Sequence, residues 1–305
     1  MTDSSSQNGV EVQRLTVGIV VASLGRPEFL GSLMQHLGDQ SRPADQIVLS
    51  VTSAADLPSG WQPTENTRII MGPKGSCVQR NRGIDALVSS CDLIFFCDDD
   101  YVPSRFVVER IVALFTAHPD IAGATGHLIA DGVNSPGISI DEARSMLASY
   151  DSTSAPPSEP YRDLAGLYGC NMVFRSTAIQ NTRFDERLRL YGWQEDIDFA
   201  MRVRPHGRIV KTFAFAGVHC GVKAGRSRGV RIGYSQIVNP VYLVRKGTMH
   251  WRYAFKIVSR NISANHLRAF RAEPWVDRLG RVRGNWIGVT DILRGKITPE
   301  RVETL

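Results

Sequence analysis

Three consecutive aspartates are the residues of this sequence whose types and spacing point most directly to chemistry. Asp98, Asp99 and Asp100 follow the apolar segment 93–97. Adjacent carboxylates repel one another, which destabilises a fold unless a cation compensates the charge. In an extended or turn conformation Asp98 and Asp100 can point to the same side, which predicts an oxygen-rich site for Mg²⁺ or Mn²⁺. The alternative is an acidic surface turn that caps a helix starting at Pro103.

A second acidic pair, Glu195 and Asp196, precedes apolar residues at helical spacing, namely Ile197, Ala200 and Met201. The pattern predicts a helix whose first turn carries both carboxylates, where the positive end of the helix dipole favours their ionised form. A carboxylate kept ionised there can accept a proton from a hydroxyl group. Ordinary capping of the helix N-terminus explains the same residues equally well.

Two further residues are candidates for the same site. His219 follows the apolar segment 213–218. A single histidine in such a context is more often a satisfied core residue than a ligand, and only the predicted metal site favours the ligand role. Arg80 lies in the second turn of a helix predicted from Ser76, where its guanidinium could reach a diphosphate. The surrounding residues do not form a P-loop, which requires a different glycine pattern.

Alternating strands and helices must position these side chains. Apolar, β-branched segments separated by turn residues predict both kinds of element. The predicted strands are 15–22, 46–51, 67–71 and 93–97. The predicted helices are 27–38, 76–88 and 103–115. This alternation is typical of right-handed βαβ units in a mostly parallel sheet, where ligands bind beyond the carboxyl ends of the strands. The acidic triplet follows such an end.

Composition limits the class of protein. The chain has 305 residues, of which 43% are hydrophobic and 22% charged, which excludes a collagen-like, low-complexity or largely disordered chain. No apolar run approaches the roughly 18 residues that a spanning helix needs, and the N-terminal residues do not predict a signal peptide. The five cysteines lack a C-x-x-C pair, which argues against a disulfide framework or zinc ribbon and predicts a cytoplasmic location.

The net charge of +6 is unevenly distributed along the chain. Residues 202–305 contain 21 Lys and Arg against 5 Asp and Glu, whereas the other 201 residues contain 15 basic and 25 acidic ones. A basic C-terminal third favours anionic partners such as nucleic acid, an anionic membrane surface or phosphorylated ligands. Within it, the aromatic and basic segment 251–260 predicts either a helix lying in a membrane interface or a helix packed on the catalytic domain.

Taken in order, these pieces resemble family 2 glycosyltransferases with the GT-A fold. The resemblance covers about residues 14–220. The matching segments are 16–22 with Arg26, 74–75, 79–83, 95–100, 169–175, 184–188, 195–198 and His219. It implies an α/β, Rossmann-like GT-A fold with a mostly parallel central sheet, in a catalytic domain at 14–222. The residues outside the resemblance are assigned from their composition: the polar segment 1–13 predicts a flexible tail, and the arginine-rich segment 223–305 predicts a basic, mainly helical C-terminal extension.

The resemblance also implies roles for the acidic residues. Asp98 and Asp100 resemble the D-x-D pair that meets the nucleotide ribose and a divalent metal on the diphosphate. His219 resembles the histidine that completes metal coordination in part of the family. Asp196 resembles the catalytic base, with Glu195 beside it.

Further residues are assigned to the two substrates by the same resemblance. The residues expected at the nucleotide are Ala22, Ser23, Arg26, Arg80, Asp98 and Asp99. The residues expected at the acceptor are Asn171, Trp193 and Gln194. Family members often carry an aspartate at the end of the second strand that reads the base. Here that stretch is Leu-Ser-Val-Thr-Ser at 49–53, and Asp56 lies further along, so the nucleotide stays open.

The resemblance predicts an inverting, metal-dependent glycosyltransferase that uses Mn²⁺ or Mg²⁺. Its donor would be a nucleotide-diphosphate-sugar, and its acceptor a hydroxyl of a glycan or lipid-linked molecule. The predicted location is the cytoplasm, with peripheral contact at the inner face of the plasma membrane through 223–305 as an open alternative. No nucleic-acid partner is expected, because the sequence has no helix-turn-helix, zinc-finger or RNP motif.

Two other functions compete with this one. Residues 98–102 fit the D-x-D-x-V motif of haloacid-dehalogenase-like phosphatases, in which Asp98 would attack phosphate. That motif normally lies on the first strand, however, and here three predicted strands precede it. The phosphatase hypothesis also leaves the acidic pair at 195–196 and His219 without a role. The second competitor is a non-catalytic protein whose basic third binds nucleic acid or another anion.

Overall fold

The computed structural model describes residues 14–153, 161–223 and 228–305. The predicted flexible tail, 1–13, lies outside the described residues. The strands are β1 (Val17–Ala22), β2 (Gln46–Val51), β3 (Thr67–Met71), β4 (Leu93–Asp98), β5 (Tyr101–Pro103), β6 (Ile121–Asp131), β7 (Tyr161–Asp163), β8 (Asn171–Arg175) and β9 (Arg208–His219). The helices are α1 (Pro27–Gly38), α2 (Ser76–Leu87), α3 (Val107–Ala117), α4 (Ile140–Thr153), α5 (Ser176–Ile179), α6 (Glu195–Val203), α7 (Gly229–Lys246), α8 (Trp251–Ala269) and α9 (Arg278–Leu293).

The first half of the central sheet is parallel, with the strand order β3-β2-β1-β4. Its strands are apolar on both faces because helices cover both sides. In β1, Ile19 packs in the same core cluster as Leu33 of α1. Val20 points the other way and packs with Ile84 and Leu87 of α2. The period of two along the strand therefore distributes one apolar segment between two cores.

The second half of the sheet mixes directions. β8 runs antiparallel to both β4 and β6, and β9 runs parallel to β6 and antiparallel to β5 and β7. This pairing places His219, the last residue of β9, opposite Tyr101 of β5 and Asp131 of β6. The acidic triplet ends β4 and turns directly into β5. The sheet thus brings a histidine 119 positions further along the chain back to the aspartates.

The helix predicted from Pro103 is wrong at its start. Pro103 is the last residue of β5, and α3 begins at Val107. Proline lacks a backbone N–H, so within sheets it is confined to edge strands and strand starts. β5 is the edge strand beyond β9, which makes proline acceptable there. A proline followed by apolar residues is compatible both with the start of a helix and with the end of an edge strand, so the local sequence could not distinguish the two.

The C-terminal helices pack on one another and on the sheet domain. A Cβ atom on Gly233 of α7 would lie 2.1 Å from the carbonyl oxygen of Arg281, and one on Gly284 of α9 would lie 2.1 Å from that of Val230. The two glycines therefore permit a helix crossing that is too close for any larger residue. Leu243, next to the α7 C-terminus, belongs to the sheet-domain core cluster. All five cysteines are free and buried, and no helix in the described ranges is long and apolar enough to cross a membrane.

Candidate active site

Two arginines compensate the acidic triplet from opposite sides. Arg26, which precedes α1, places its Nη1 2.8 Å from Oδ1 of Asp99 and 3.5 Å from Oδ2 of Asp100. Arg80 of α2 places its Nη2 2.9 Å from Oδ1 of Asp98. The helices that follow β1 and β3 thus each supply a guanidinium to the turn after β4. These ion pairs explain how three consecutive carboxylates can stand at the end of a buried strand.

The three aspartates have different electrostatic surroundings. Burial raises the pKa of Asp99 to about 7, although Arg26 opposes this shift. Burial would also raise the pKa of Asp100, but the hydrogen bond and positive charge of His219, together with Arg26, lower it to about 2. Asp100 is therefore an ionised carboxylate at neutral pH. An ionised oxygen close to a histidine is a suitable ligand for a hard divalent cation.

Asp131 orients His219. The histidine Nδ1 lies 2.8 Å from Oδ1 of Asp131, and its Nε2 lies 3.4 Å from Oδ1 of Asp100. Tyr168 donates a hydrogen bond of 3.0 Å to the other oxygen of Asp131. Although burial opposes the charge, the two carboxylates raise the pKa of His219 to about 10. Sequence reasoning missed Asp131, because only the register of β6 against β9 reveals it.

The predicted metal ligands lie together. Asp98, Asp100 and His219 each offer one ligand atom, and these atoms all lie within 4.8 Å of one another. Two carboxylates and one imidazole suit Mn²⁺ or Mg²⁺ better than a soft metal. The bond from Asp131 to Nδ1 leaves Nε2 on the side of Asp100, where a bound cation would displace the Nε2 proton. A carboxylate that fixes the second nitrogen of a ligating histidine is the usual arrangement around protein metals. The residues therefore fit a divalent cation.

Arg80 joins the acidic triplet to the second acidic pair. Its Nη1 lies 2.5 Å from Oε1 of Glu195, while its Nη2 also donates a 3.1 Å hydrogen bond to the carbonyl oxygen of Gly169. Burial opposes its charge, but Glu195 and Asp98 raise its pKa above the ordinary arginine value. The guanidinium that was expected at a diphosphate thus makes its described contacts within the protein. It holds the two acidic groups at a fixed separation.

The structure confirms the helix predicted after the acidic pair and shows how Asp196 is held. α6 begins at Glu195, so both carboxylates lie in its first turn. Oδ1 of Asp196 accepts a 2.8 Å hydrogen bond from the N–H of Ile197, and Oδ2 accepts one of 3.0 Å from Gly169. Burial raises the pKa of Asp196, and burial together with Asp196 raises that of Glu195 to about 8. A carboxylate with a raised pKa is a better proton acceptor near neutral pH.

Asp198, two residues further along α6, has a structural role, because its side chain contacts the C-terminal helices. Its side chain is fully buried and accepts hydrogen bonds from Arg202, Lys246 and Thr248. Lys246 also contacts Asp185 at 2.6 Å. Asp198 therefore ties α6 to the turn between α7 and α8. The acidic motif at 195–198 thus combines residues directed at the site with one that anchors the C-terminal helices.

The loop before α6 has an unusual backbone. Leu190 and Gln194 adopt positive φ angles of 59° and 73°, a region that non-glycine residues rarely occupy. Contacts from outside the loop hold it: the N–H of Ser76 donates to the carbonyl of Leu190 at 2.9 Å, and Asn239 donates to that of Trp193 at 3.0 Å. Strained backbone of this kind persists where the surroundings over-determine it, and it clusters at functional sites.

Trp193 and Gln194, the predicted acceptor residues, directly precede the acidic pair. The Nε1 of Trp193 and the Oε1 of Gln194 are buried atoms without a hydrogen-bond partner in the described part of the chain. Buried polar atoms normally have partners, so two unsatisfied ones in succession need an explanation. Both atoms are closed off from solvent in this structure, so the acceptor role of Trp193 and Gln194 stays a prediction.

The residues predicted at the nucleotide lie along the same edge. Ala22 pairs with Asp98 in the sheet, and Ser23 donates a 2.7 Å hydrogen bond to Oδ2 of Asp99. Gln79, to which sequence analysis gave no separate role, donates to the backbone oxygens of Ser23 and Ser50 at 2.9 and 2.7 Å. The ends of β1 and β2 are therefore fixed to each other by one buried amide.

Asp56 and Asn171 are engaged inside the protein. Asp56 accepts hydrogen bonds from the N–H groups of Gly25 and Thr52 at 2.7 and 2.8 Å, and it thereby fixes the loop after β1. Asn171 is 0% exposed, and its Oδ1 accepts a 2.7 Å hydrogen bond from Thr125. The structure thus does not bring Asn171 to an exposed surface of the site, and its acceptor role stays a prediction.

Solved structures with a similar fold include those of S. aureus TarS. The chain aligns over 95% of its length with 83% of TarS 1–349, at 14% sequence identity and a TM-score of 0.55. The corresponding values for the complex of TarS 1–349 with UDP-GlcNAc are 95%, 84%, 12% and 0.57. Against the longer TarS chain the match covers half of that chain, at 13% identity and a TM-score of 0.53. This similarity confirms the predicted GT-A-like α/β fold.

No model of a protein family matches the chain, and no curated protein sequence matches it. The evidence for function therefore lies in the fold and in the arrangement of the side chains described above.

Proposed function

We propose that this protein is a metal-dependent glycosyltransferase that moves a sugar from a nucleotide-diphosphate-sugar to an acceptor hydroxyl. One observation carries the proposal: Arg80 bridges the cluster of Asp98, Asp100 and His219 to the Glu195–Asp196 pair. One guanidinium thus contacts both a member of the cation-binding group, Asp98, and Glu195, the residue next to the candidate base Asp196. The shared fold with TarS, one of whose structures contains UDP-GlcNAc, supports a nucleotide-sugar as the donor.

The chain's own residues provide the proton transfer. Asp196 accepts the proton of the acceptor hydroxyl, and the hydroxyl oxygen forms a bond to the anomeric carbon while the bond to the nucleotide diphosphate breaks. Attack from the face opposite the leaving group inverts the configuration at that carbon. Two backbone N–H groups hold the Asp196 carboxylate in place during this step. A positioned base of this kind contributes about 10²–10⁴-fold to the rate.

The acidic edge binds the donor. Asp98, Asp100 and His219 would hold Mn²⁺ or Mg²⁺, with Asp131 fixing the imidazole. When bound, the ion supplies positive charge that stabilises the departing diphosphate. Ser23 and Arg26, which contact Asp99, stand at the end of β1 where the nucleotide of a sheet of this type binds.

The acceptor is proposed to be a glycan or lipid-linked molecule. Tyr191 is exposed and stacks obliquely near Trp193, with ring centroids 6.3 Å apart, directly before the Glu195–Asp196 pair. Such aromatic surfaces suit the apolar faces of sugar rings. A cytoplasmic location is part of the same proposal. The fold similarity to TarS favours sugar transfer over the phosphatase hypothesis.

A thermal-shift screen tests the proposal. UDP, GDP, CDP and dTDP are each added with Mn²⁺, with Mg²⁺ or with EDTA. Binding to the native state stabilises it by about 2.7 kcal/mol at a ligand concentration 100 times the Kd. We expect one diphosphate to raise the Tm only with a metal. A shift that persists in EDTA would contradict the metal requirement, and no shift with any nucleotide would contradict the donor class.

A further inference from the structure

One face of α8 exposes large apolar side chains to solvent. Trp251 and Phe255, one helical turn apart, are 59% and 69% exposed, and Phe270, just past the end of the helix, is 94% exposed. Ala254 and Asn265 are buried, and Ile257 packs partly against the core. The helix therefore has an ordinary inward side, but it also exposes large apolar side chains that an ordinary surface helix would bury.

A row of cations runs beside these aromatic side chains. Arg252, Lys256 and Arg260 are spaced four residues apart and are exposed, so they neighbour one another along the helix surface. α8 contains no aspartate or glutamate. Within the part of the chain that the structure describes, none of the three forms an ion pair with a carboxylate. Repulsion along this row is therefore uncompensated within the described protein.

The acidic residues of the C-terminal helical region are occupied elsewhere. Glu273 pairs with Arg278 at 2.7 Å, and Asp277 caps the N-terminus of α9. Asp291 contacts Arg301. Glu273 also pairs with Arg268 at 3.0 Å, near the C-terminal end of α8. In the described residues these carboxylates therefore leave Arg252, Lys256 and Arg260 without an ion pair, and this row of positive charge would attract an anionic surface.

The exposed apolar surface continues onto α9. The indole N–H of Trp286 donates a 3.0 Å hydrogen bond to His266 of α8, which joins the two helices side by side. Trp286 is 58% exposed, and Leu267 and Leu279 are also exposed. Aromatic and aliphatic side chains from two helices therefore flank the cationic row. We define the α8 face by the exposed residues Trp251, Arg252, Phe255, Lys256, Arg260, Leu267, Phe270, Leu279 and Trp286.

We propose that the α8 face docks on the surface of an anionic lipid bilayer. Mixed aromatic and aliphatic groups at this exposure suit the boundary between headgroups and acyl chains, where tryptophan is enriched. Arginine and lysine side chains can reach from there to lipid phosphates. A nucleic acid would use the cations and the aromatic rings but would leave Leu267 and Leu279 without an apolar partner. The occupant that uses the whole face is a lipid surface.

This docking would place the bilayer beside the acceptor side of the site. Thr248, in the turn before α8, donates a 2.7 Å hydrogen bond to Asp198 of α6, two residues after Asp196. Ala254 of α8 packs in the same core cluster as Phe199 of α6. The proposed docking helix and the helix with the candidate base are thus linked through the turn before α8 and a shared apolar core. The docking itself does not depend on sugar transfer, but it would favour a lipid-linked acceptor if the proposed function is correct.

Vesicle flotation with the full chain tests the proposal. Phosphatidylcholine vesicles with and without phosphatidylglycerol serve as probes, and neither donor nor metal is added. We expect binding to the anionic vesicles only, with an affinity that falls as salt rises. The variant K256Q/R260Q should bind roughly fivefold more weakly per charge removed. The matched control is R68Q/R162Q, which removes the same charge from exposed positions on β3 and β7.

A second variant separates insertion from electrostatic attraction. W251S/F255S keeps every charge, so vesicle binding that it loses depends on apolar contact. Circular dichroism and the Tm establish that each variant is folded. The proposal is overturned if the unaltered chain binds neither vesicle type, or if K256Q/R260Q binds as the control does. It is also overturned if light scattering shows a dimer that K256Q/R260Q dissociates, or if the face binds RNA but not vesicles. A chain that floats but transfers no sugar would refute the proposed function alone.

Discussion

The acidic edge of the sheet and the cationic row of α8 both place like charges side by side, but among the described residues only the acidic edge is compensated. Arg26, Arg80 and His219 surround the three aspartates, and burial holds them at short distances. Arg252, Lys256 and Arg260 are exposed and form no ion pair with a described carboxylate. Internal compensation thus builds a site of fixed geometry, whereas exposed charge of one sign stays accessible to an anionic surface such as the proposed bilayer.

Replacing Asp196, the candidate base at the acidic edge, should have the largest effect of the variants considered, and the quantity affected is turnover. We expect Asp196→Asn to lower turnover about 10²–10⁴-fold, because the amide cannot accept the hydroxyl proton. Nucleotide binding, measured by calorimetry, should survive, because the change lies at the acceptor end of the Arg80 bridge.

Asp198→Asn is the matched control for that variant. It removes a charge two residues away that pairs with Lys246 and Arg202, so it should lower the Tm while the folded fraction keeps most of its turnover. Near-normal turnover of Asp196→Asn would refute the assignment of the base. A greater loss of turnover in Asp198→Asn would refute the division of roles within α6.

Removing the guanidinium of Arg80, which contacts both acidic groups, should strongly destabilise the fold. Arg80→Gln leaves Asp98 and Glu195 without their shared guanidinium, and loss of one partner from a buried ion pair costs about 3–5 kcal/mol. Urea denaturation measures the change in the free energy of unfolding. Arg68→Gln, at an exposed site on β3, should change it far less. If Arg80→Gln and Arg68→Gln changed the free energy of unfolding equally, Arg80 would not be neutralising the carboxylates of the acidic edge.

The partner of His219 should control metal affinity. We expect Asp131→Asn to weaken Mn²⁺ binding about 10–100-fold, because the carboxylate that fixes the imidazole is lost. Calorimetric titration with Mn²⁺ in the absence of nucleotide measures the effect. Asp120→Asn, whose carboxylate pairs with Arg208 on the surface, is the control. Unchanged Mn²⁺ affinity in Asp131→Asn would show that the Asp131 carboxylate does not control metal binding.

The smallest effect is expected at the cationic row of α8, where removing a charge should stabilise the fold, whereas removing Arg80 should destabilise it. Lys256→Gln removes two repulsive pairs, with Arg252 and Arg260, and should raise the free energy of unfolding by about 0.2–0.5 kcal/mol for each at low salt. High salt should abolish the gain, since the charges are exposed. Denaturation curves without vesicles measure it. A clear loss of stability would mean that Lys256 has a partner within the protein. The cationic row of α8 would then be compensated internally, as the acidic edge is.

Much of the candidate site was predictable because its residues follow local patterns. The strand before Asp98 is a run of apolar residues, and α6 has helical spacing directly after Glu195 and Asp196. The contrast between Asp196 and Asp198 was not predictable. Both are acidic residues of one short helix, and only the position of the α7–α8 turn makes one of them an anchor.

The sequence by itself determined the alternation of strands and helices, the placement of the acidic groups at element ends and the excess of positive charge in the last third. These follow from periodicity and composition, which are properties of neighbouring residues. Only the tertiary structure decided that Pro103 ends an edge strand, that Asp131 holds His219 and that Arg80 joins two acidic groups 97 positions apart. Those outcomes depend on the register of strands distant in sequence, and the free energy of that pairing is not encoded in any local pattern.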